Sequence, residues 1–217
     1  MRDRYHELLD SITDDLIEMN RVVGSMIQRA TDALLDGDLQ KAESVITADA
    51  EIDAANRQVE AVATDLIALQ QPVASDLRIV VAAIRIAATL ERMGDLARHI
   101  AKVARMRYPE RALPAEVVPI FREMGDLAGQ MSAATGTVIA DKDVSTSMRL
   151  LETDDRMDEL HRQLFVTLLD DSWPYSVEVT IDITLLSRYY ERFADHMVSV
   201  AKRVIFLTTG ERVDEVV

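Results

Sequence analysis

The sequence contains no cysteine and has few glycines and prolines. Without cysteine it can form no disulfide, no thiolate zinc site and no cysteine nucleophile. Only 7 glycines and 5 prolines occur among 217 residues, which leaves few turns for a β-sandwich or barrel and favours long helices. The longest apolar stretch, residues 79–90, is interrupted by Arg85 and is shorter than the roughly 20 residues that cross a bilayer. We therefore expect an all-α protein without a membrane-spanning segment.

The chain also has a deficit of positive charge. Its 24 Lys and Arg against 38 Asp and Glu give a formal net charge of -14 at pH 7. This charge repels phosphate backbones and anionic lipid, so we expect no direct binding of nucleic acid. The N-terminal residues run into an amphipathic pattern without the apolar core of a signal peptide, from which we expect a cytoplasmic protein.

What the chain does have is apolar residues at steps of three and four, the spacing of one helix face. Two such stripes cover residues 9–33 and 45–69 and are separated by Asp36-Gly37-Asp38, a turn in which Asp38 can cap the second helix. A third helix is predicted over about residues 74–106, and a proline-containing region follows it.

The second half of the chain repeats the first. Shifting the sequence against itself superimposes acidic residues of the two halves, namely Asp49, Asp53, Glu91 and Asp95 on Asp154, Asp158, Glu191 and Asp195. We therefore predict six long helices arranged as two tandem three-helix bundles. The first repeat is predicted at 1–107, a proline-containing linker and the start of helix four at 108–119, and the second repeat at 115–217.

These acidic residues form four pairs at i, i+4, a spacing that puts both carboxylates on one helix face. Chance alone produces such pairs in an acidic chain, but here they recur at matched positions. Glu91 and Asp95 also share a helical face with Leu77 and Ile84, where core side chains are expected.

Clustered carboxylates repel one another, and a multivalent cation would offset that repulsion. Oxygen ligands suit magnesium, manganese, calcium or iron better than structural zinc. The sequence leaves open the alternative that Arg92 and Arg192 pair with these carboxylates on solvated faces.

The histidines allow two interpretations. His99 lies one turn after Asp95 and could extend the acidic row, or it could be a partly buried histidine hydrogen-bonded within the bundle, and the same holds for His196. Asp158 and His161 form only half of a ferritin-like di-iron pattern, which uses two Glu-x-x-His motifs on separate helices.

Three segments make the sequence recognisable: Ala68-Leu69-Gln70-Gln71-Pro72-Val73-Ala74-Ser75-Asp76-Leu77-Arg78, Glu91-Arg92-Met93-Gly94-Asp95, and Glu191-Arg192-Phe193-Ala194-Asp195-His196. With the tandem acid-x-x-x-acid helices, they strongly resemble the PhoU family of phosphate-uptake regulators over essentially the whole chain. The resemblance implies a cytoplasmic, non-enzymatic homodimer that links a phosphate-specific ABC transporter to a membrane sensor histidine kinase.

The resemblance also implies metal clusters of divalent or trivalent ions, with iron, manganese, magnesium or zinc as candidates. One site would use Asp49, Asp53, Glu91 and Asp95, and the other Asp154, Asp158, Glu191 and Asp195. The chain departs from the family at His99 and Ser199, where the family often has Asn.

Two functions are therefore compared. The first is a negative regulator of phosphate uptake and of the phosphate-starvation response, which acts in intracellular phosphate homeostasis and approaches the membrane only through its partners. The alternative is a carboxylate-bridged metal enzyme of a helical-bundle type, which needs an open coordination position in a water-excluding cavity. Acid pairs on the outer rows of a bundle would lie on an open face, and the sequence has no nucleophile-base pair or phosphate-cradling Gly-rich loop, so we favour the regulator.

Overall fold

The computed structural model describes residues 2–211, with side chains from residue 7 onward, and these residues form six α-helices. The helices are α1 (Arg2–Asp36), α2 (Leu39–Gln70), α3 (Ser75–Arg107), α4 (Val118–Asp141), α5 (Val144–Leu168) and α6 (Val177–Thr209). The described chain contains no strand, so the prediction of six long helices in an all-α fold is confirmed. The outer ends of the two predicted repeats, residue 1 and residues 212–217, lie outside the described residues.

The turn between the first two helices has the predicted form. Gly37 takes a φ of 71°, and the side chain of Asp38 accepts a hydrogen bond from the Lys41 backbone N–H at 3.0 Å. The matching turn of the second repeat uses Lys142, with a φ of 54°, and Asp143 as the capping residue. In both halves the chain reverses direction through a residue with positive φ followed by a capping aspartate, although in the second half a lysine replaces the glycine.

The helices form two three-helix bundles, α1–α3 and α4–α6, as predicted. The bundles join where α1 packs against α4 and where α3 packs against α6. Helices α3 and α6 run antiparallel, because Arg107 at the end of α3 pairs with Glu178 and Asp182 at the start of α6, each at 2.6 Å. Among the described residues, no helix is long and apolar enough to cross a bilayer.

Glycines let α1 and α4 approach closely. A Cβ atom added to Gly125 of α4 would overlap the side chain of Thr31 on α1, and one added to Gly24 of α1 would overlap the Ser132 hydroxyl on α4. At Gly24 the Ser132 hydroxyl can rotate away, but a side chain at position 125 meets Cβ and both γ atoms of Thr31 and would force the two bundles apart.

A hydrogen bond between two buried hydroxyl groups connects α6 to the contact between α1 and α4. The Tyr190 hydroxyl lies 2.7 Å from the Thr31 hydroxyl, which also donates to the carbonyl of Ile27 at 2.8 Å. The Tyr190 ring packs 5.9 Å from the ring of Phe121 on α4, and burial raises the pKa of Tyr190 above its usual range. Because Thr31 is held by these bonds, it cannot rotate away from Gly125 without leaving a buried hydroxyl unpaired.

The substitution Gly125→Ala tests this close contact. Alanine in place of glycine ordinarily stabilises a helix by about 0.5–1 kcal/mol. At position 125 we expect the clash with Thr31 to lower the free energy of unfolding by about 1–2 kcal/mol instead. The matched control is Gly94→Ala on α3, where the nearest atom, Ile52 Cγ2, would lie at an ordinary 3.5 Å. Urea denaturation should show opposite signs for the two variants, and stabilisation of both would contradict the contact.

Candidate functional site

The first acidic cluster forms where α2 lies beside α3. Asp49 and Asp53 come from α2, and Glu91 and Asp95 from α3. Burial raises the pKa of Asp49, and the charges of Asp95 and Asp53 raise it further while Arg98 opposes them. Burial also raises the pKa of Glu91, with added contributions from Asp95 and Asp53. The fold therefore brings together all four carboxylates that the sequence assigned to this site.

The first cluster already contains a cation from the protein itself. Arg98 Nη1 lies 3.0 Å from Asp49 Oδ2, and Arg98 also pairs with Asp95 one helical turn earlier. The Arg98 side chain is only 27% exposed and that of Asp49 only 12%, so this ion pair is poorly screened by water. The guanidinium offsets part of the carboxylate repulsion that led us to expect a metal ion.

In the second cluster, between α5 and α6, the cation that the described chain supplies is Arg188, which pairs with Glu191 and is itself 49% exposed. Burial, together with the charges of Asp195, Asp158 and Glu191, raises the pKa of Asp154 to about 6. In the repeat alignment Val198 stands where the first repeat has Arg98. The four predicted carboxylates are thus brought together here too, but their repulsion is less compensated.

Glu191 is a largely enclosed member of this second cluster. Its side chain is 13% exposed, and one carboxylate oxygen, Oε1, pairs with Arg188 at the rim. The other oxygen, Oε2, is buried and has no hydrogen-bond partner within the described chain. A buried carboxylate oxygen without a donor is unfavourable, and a cation would satisfy it.

The donor chemistry of the second cluster fits a hard cation, but its side chains are not arranged as a finished site. Within residues 7–211, no group of three or more Asp, Glu and His side chains converges closely enough to hold an ion. Asp158 and Asp195 are exposed and can rotate inward, whereas binding at the first cluster would have to displace Arg98. The metal assignment of these eight residues stays a prediction.

The carboxylates of the two clusters do not pair with Arg92 and Arg192, the arginines that the sequence suggested as alternative partners. Arg92 and Arg192 are exposed and form no ion pair in the described part of the chain. Arg98 and Arg188 take that role at helical spacing from Asp95 and Glu191. Sequence reasoning missed both, although the spacing of three residues and the mismatch with Val198 were readable signals.

The helix face that carries Glu91 and Asp95 is the edge of the bundle and not its core. Leu77 on that face is 38% exposed and Ile84 is only half-buried, so the expectation that acids replace core residues here is wrong. The core face of α3 instead contains Met93 and Ile100, both fully buried.

His99 and His161 pack within the fold. The His99 ring stacks on Tyr189 of α6 at 5.3 Å, and its pKa is lowered by burial and by Arg98 and Lys102. His161 Nδ1 lies 3.0 Å from the Ser187 hydroxyl. His99 is thus half-buried, as one interpretation expected, but its Nδ1 makes no hydrogen bond.

Comparison with known proteins gives consistent matches for both halves. A family model described as the PhoU domain matches residues 16–104 and 121–204. The phosphate-specific transport system accessory protein PhoU homolog 2 of Mycobacterium tuberculosis is 47% identical over 97% of this chain and 99% of its own length. PhoU homolog 1 of Mycobacterium leprae is also 47% identical, over 97% of this chain and 95% of its own.

Solved structures agree with the fold. The crystal structure of PhoU from Pseudomonas aeruginosa has a TM-score of 0.85 at 24% identity and covers 95% of this chain and 100% of that chain. The phosphate transport system regulatory protein PhoU from Streptococcus pneumoniae has the same TM-score at 26% identity, with coverage of 97% and 99%.

Replacement of Asp154 by Asn tests the electrostatics of the second cluster. A carboxyl whose pKa is higher in the folded than in the unfolded chain destabilises the fold once it ionises, so the penalty grows from about pH 4 to 6 and is full above pH 6. In chelator-treated protein at pH 7 we expect Asp154→Asn to raise the free energy of unfolding by about 1 kcal/mol, a figure reduced for solvent screening.

Urea denaturation at two pH values distinguishes this effect from a general one. At pH 5 the gain for Asp154→Asn should shrink. Glu152→Gln, an exposed change on the same helix, should have little effect at either pH. An equal gain for Asp154→Asn at pH 5 and pH 7 would contradict the assignment.

Proposed function

Because the chain belongs to the PhoU family, we propose that it is a negative regulator of phosphate uptake and of the phosphate-starvation response. The observation that carries this proposal is the match of both repeats to the family, with 47% identity over almost the full length of relatives named accessory proteins of phosphate-specific transport systems. Proteins of this family are regulatory accessory proteins and not enzymes, as the resemblance implied.

The proposal includes an adaptor role between a phosphate-specific ABC transporter and a sensor histidine kinase. Helices of 24 to 35 residues offer long faces on which partner helices or domains can dock. The net charge of -14 opposes direct contact with an anionic bilayer, so membrane association would be peripheral and depend on those partners. A homodimer forms part of the same proposal.

A second part of the proposal concerns the acidic clusters. We assign the tighter cation site to Asp154, Asp158, Glu191 and Asp195, and a weaker site to Asp49, Asp53, Glu91 and Asp95. The orphaned Glu191 Oε2 and the absence of an arginine at position 198 support this order. Arg98 already compensates part of the charge in the first cluster. Iron, manganese, magnesium and zinc remain the candidate ions, and oxygen ligands favour the harder ones.

The alternative of a carboxylate-bridged metal enzyme receives no support from the geometry. Asp158 and Asp195 are exposed, so the second cluster lies at an open edge between two helices and not in a cavity that excludes water. An ion held at such an edge can neutralise charge and fix the spacing of α5 and α6, which suits a regulator.

Deletion of the gene tests the regulatory role. We expect a deletion strain to express phosphate-starvation genes at high phosphate, because the proposed negative input to the kinase is lost. Reporter fusions and phosphate-uptake assays at high and low phosphate would measure this, with the wild-type gene in trans as the control. Normal repression in the deletion strain would contradict the proposed function.

Paired substitutions test the order of the two cation sites. The double variant Glu191→Gln, Asp195→Asn should lose the tighter phase of a manganese titration followed by calorimetry. The matched variant Glu91→Gln, Asp95→Asn should retain it. Arg98→Val, which copies the second repeat, should strengthen binding at the first cluster about tenfold, because an internal competitor is removed.

Arg105→Val, an exposed change on the same helix, controls for the general loss of a positive charge. If both double variants lose the same phase, or if Arg98→Val and Arg105→Val behave alike, the assignment of unequal sites is wrong.

A further inference from the structure

An apolar groove lies between the start of α3 and the end of α6. Leu77 and Val81 line it from α3, and Phe206 and Leu207 line it from α6. Its volume is about 280 Å³, room for two or three apolar side chains. The groove involves none of the eight carboxylates of the acidic clusters.

Three arginines surround this groove. Arg78, Arg85 and Arg203 all line it, and none of them pairs with a carboxylate in the described part of the chain. Within residues 7–211, Arg203 Nη1 donates to Ser199 alone, to its carbonyl at 3.1 Å and its hydroxyl at 2.6 Å. The pKa of Arg203 is lowered by burial and by the like charge of Arg85. In a chain with a net charge of -14, this groove is a local region of positive charge that no carboxylate of the described residues pairs with.

The corresponding surface of the second repeat has the opposite character. The repeat alignment places Glu178 on Arg78, and Leu185 on Arg85. Glu178 is paired with Arg107, so the charge at that end is already compensated. The arginine-lined groove therefore occurs at one end of the α3–α6 interface and is not repeated at the other end.

We propose that this groove binds an acidic, amphipathic helical segment of a partner protein. Apolar side chains of that segment would insert between Leu77 and Phe206, and its carboxylates would pair with Arg78, Arg85 and Arg203. The lining from Leu77 to Arg85 spans about 12 Å of helix, which matches two to three turns of a docked helix. The complementary charge would steer the segment to this end of an otherwise acidic surface. The inference goes beyond the regulatory role and does not depend on metal binding.

A designed peptide tests the proposal on the full-length protein. The probe is a fluorescent helical peptide of about 14 residues, with leucines along one face and glutamates on the flanks. A second probe has lysines in place of the glutamates. We expect the glutamate peptide to bind in fluorescence anisotropy and the lysine peptide to bind at least about tenfold more weakly at this groove.

Variants locate the binding. Arg85→Glu should weaken binding of the glutamate peptide at least about tenfold, whereas Arg57→Glu, an exposed arginine of α2 distant in sequence from the groove, should leave it unchanged. Leu77→Ser should weaken binding because it removes an apolar wall, and Val166→Ser, which is also exposed, serves as its control. Circular dichroism would show whether each variant keeps its helical content.

Several results would overturn the proposal. These are no binding of the glutamate peptide at about 1 mM, equal binding of both peptides, or binding unaffected by Arg85→Glu. Full displacement of the peptide by millimolar inorganic phosphate would show a simple anion site instead. Binding of phosphatidylglycerol vesicles that is lost in Arg85→Glu, without peptide binding, would show that a lipid headgroup is the ligand.

Discussion

The close approach of α1 to α4 is the constraint on which the arrangement of the two bundles depends. Gly24 and Gly125 leave space that Ser132 and Thr31 fill, and the hydroxyl of Tyr190 holds Thr31 in place. With α1, α4 and α6 fixed in this way, α3 lies antiparallel beside α6, and one end of that seam forms the arginine-lined groove. The acidic clusters form on α2–α3 and α5–α6, so α1 and α4 contribute no carboxylate to them, whereas α3 and α6 both join the bundles and contribute two carboxylates each.

The features that the sequence predicted correctly are those encoded locally or by repetition. Apolar spacing defines each helix, Gly37 and Asp38 define a turn within a few residues, and the repeat alignment pairs Glu91 with Glu191. The rotation of each helix against its neighbours is not local, which is why Leu77 was misplaced in the core. The role of Arg98 also depends on α2, because its partner Asp49 lies far away in sequence.

The two repeats share a fold but have diverged in charge. Arg98 corresponds to Val198, Arg78 to Glu178, and Gly37 to Lys142. None of these exchanges disturbs the helical framework, because each lies on an exposed face, at a helix edge or in a turn. A duplicated bundle can therefore keep its packing while its two copies acquire different electrostatic surfaces, one neutralised from within and the other less so.

The guanidinium of Arg98 is a counter-ion that is covalently attached to the protein. Its effective concentration at Asp49 and Asp95 is set by the length of one side chain, and dilution, chelators or a shortage of metal cannot change it. A cluster whose carboxylates are less compensated by tethered charges depends more on the ions of the surrounding solution. The residue at this one position, Arg98 in one repeat and Val198 in the other, thus makes the charge balance of the first cluster less dependent on the ionic environment than that of the second.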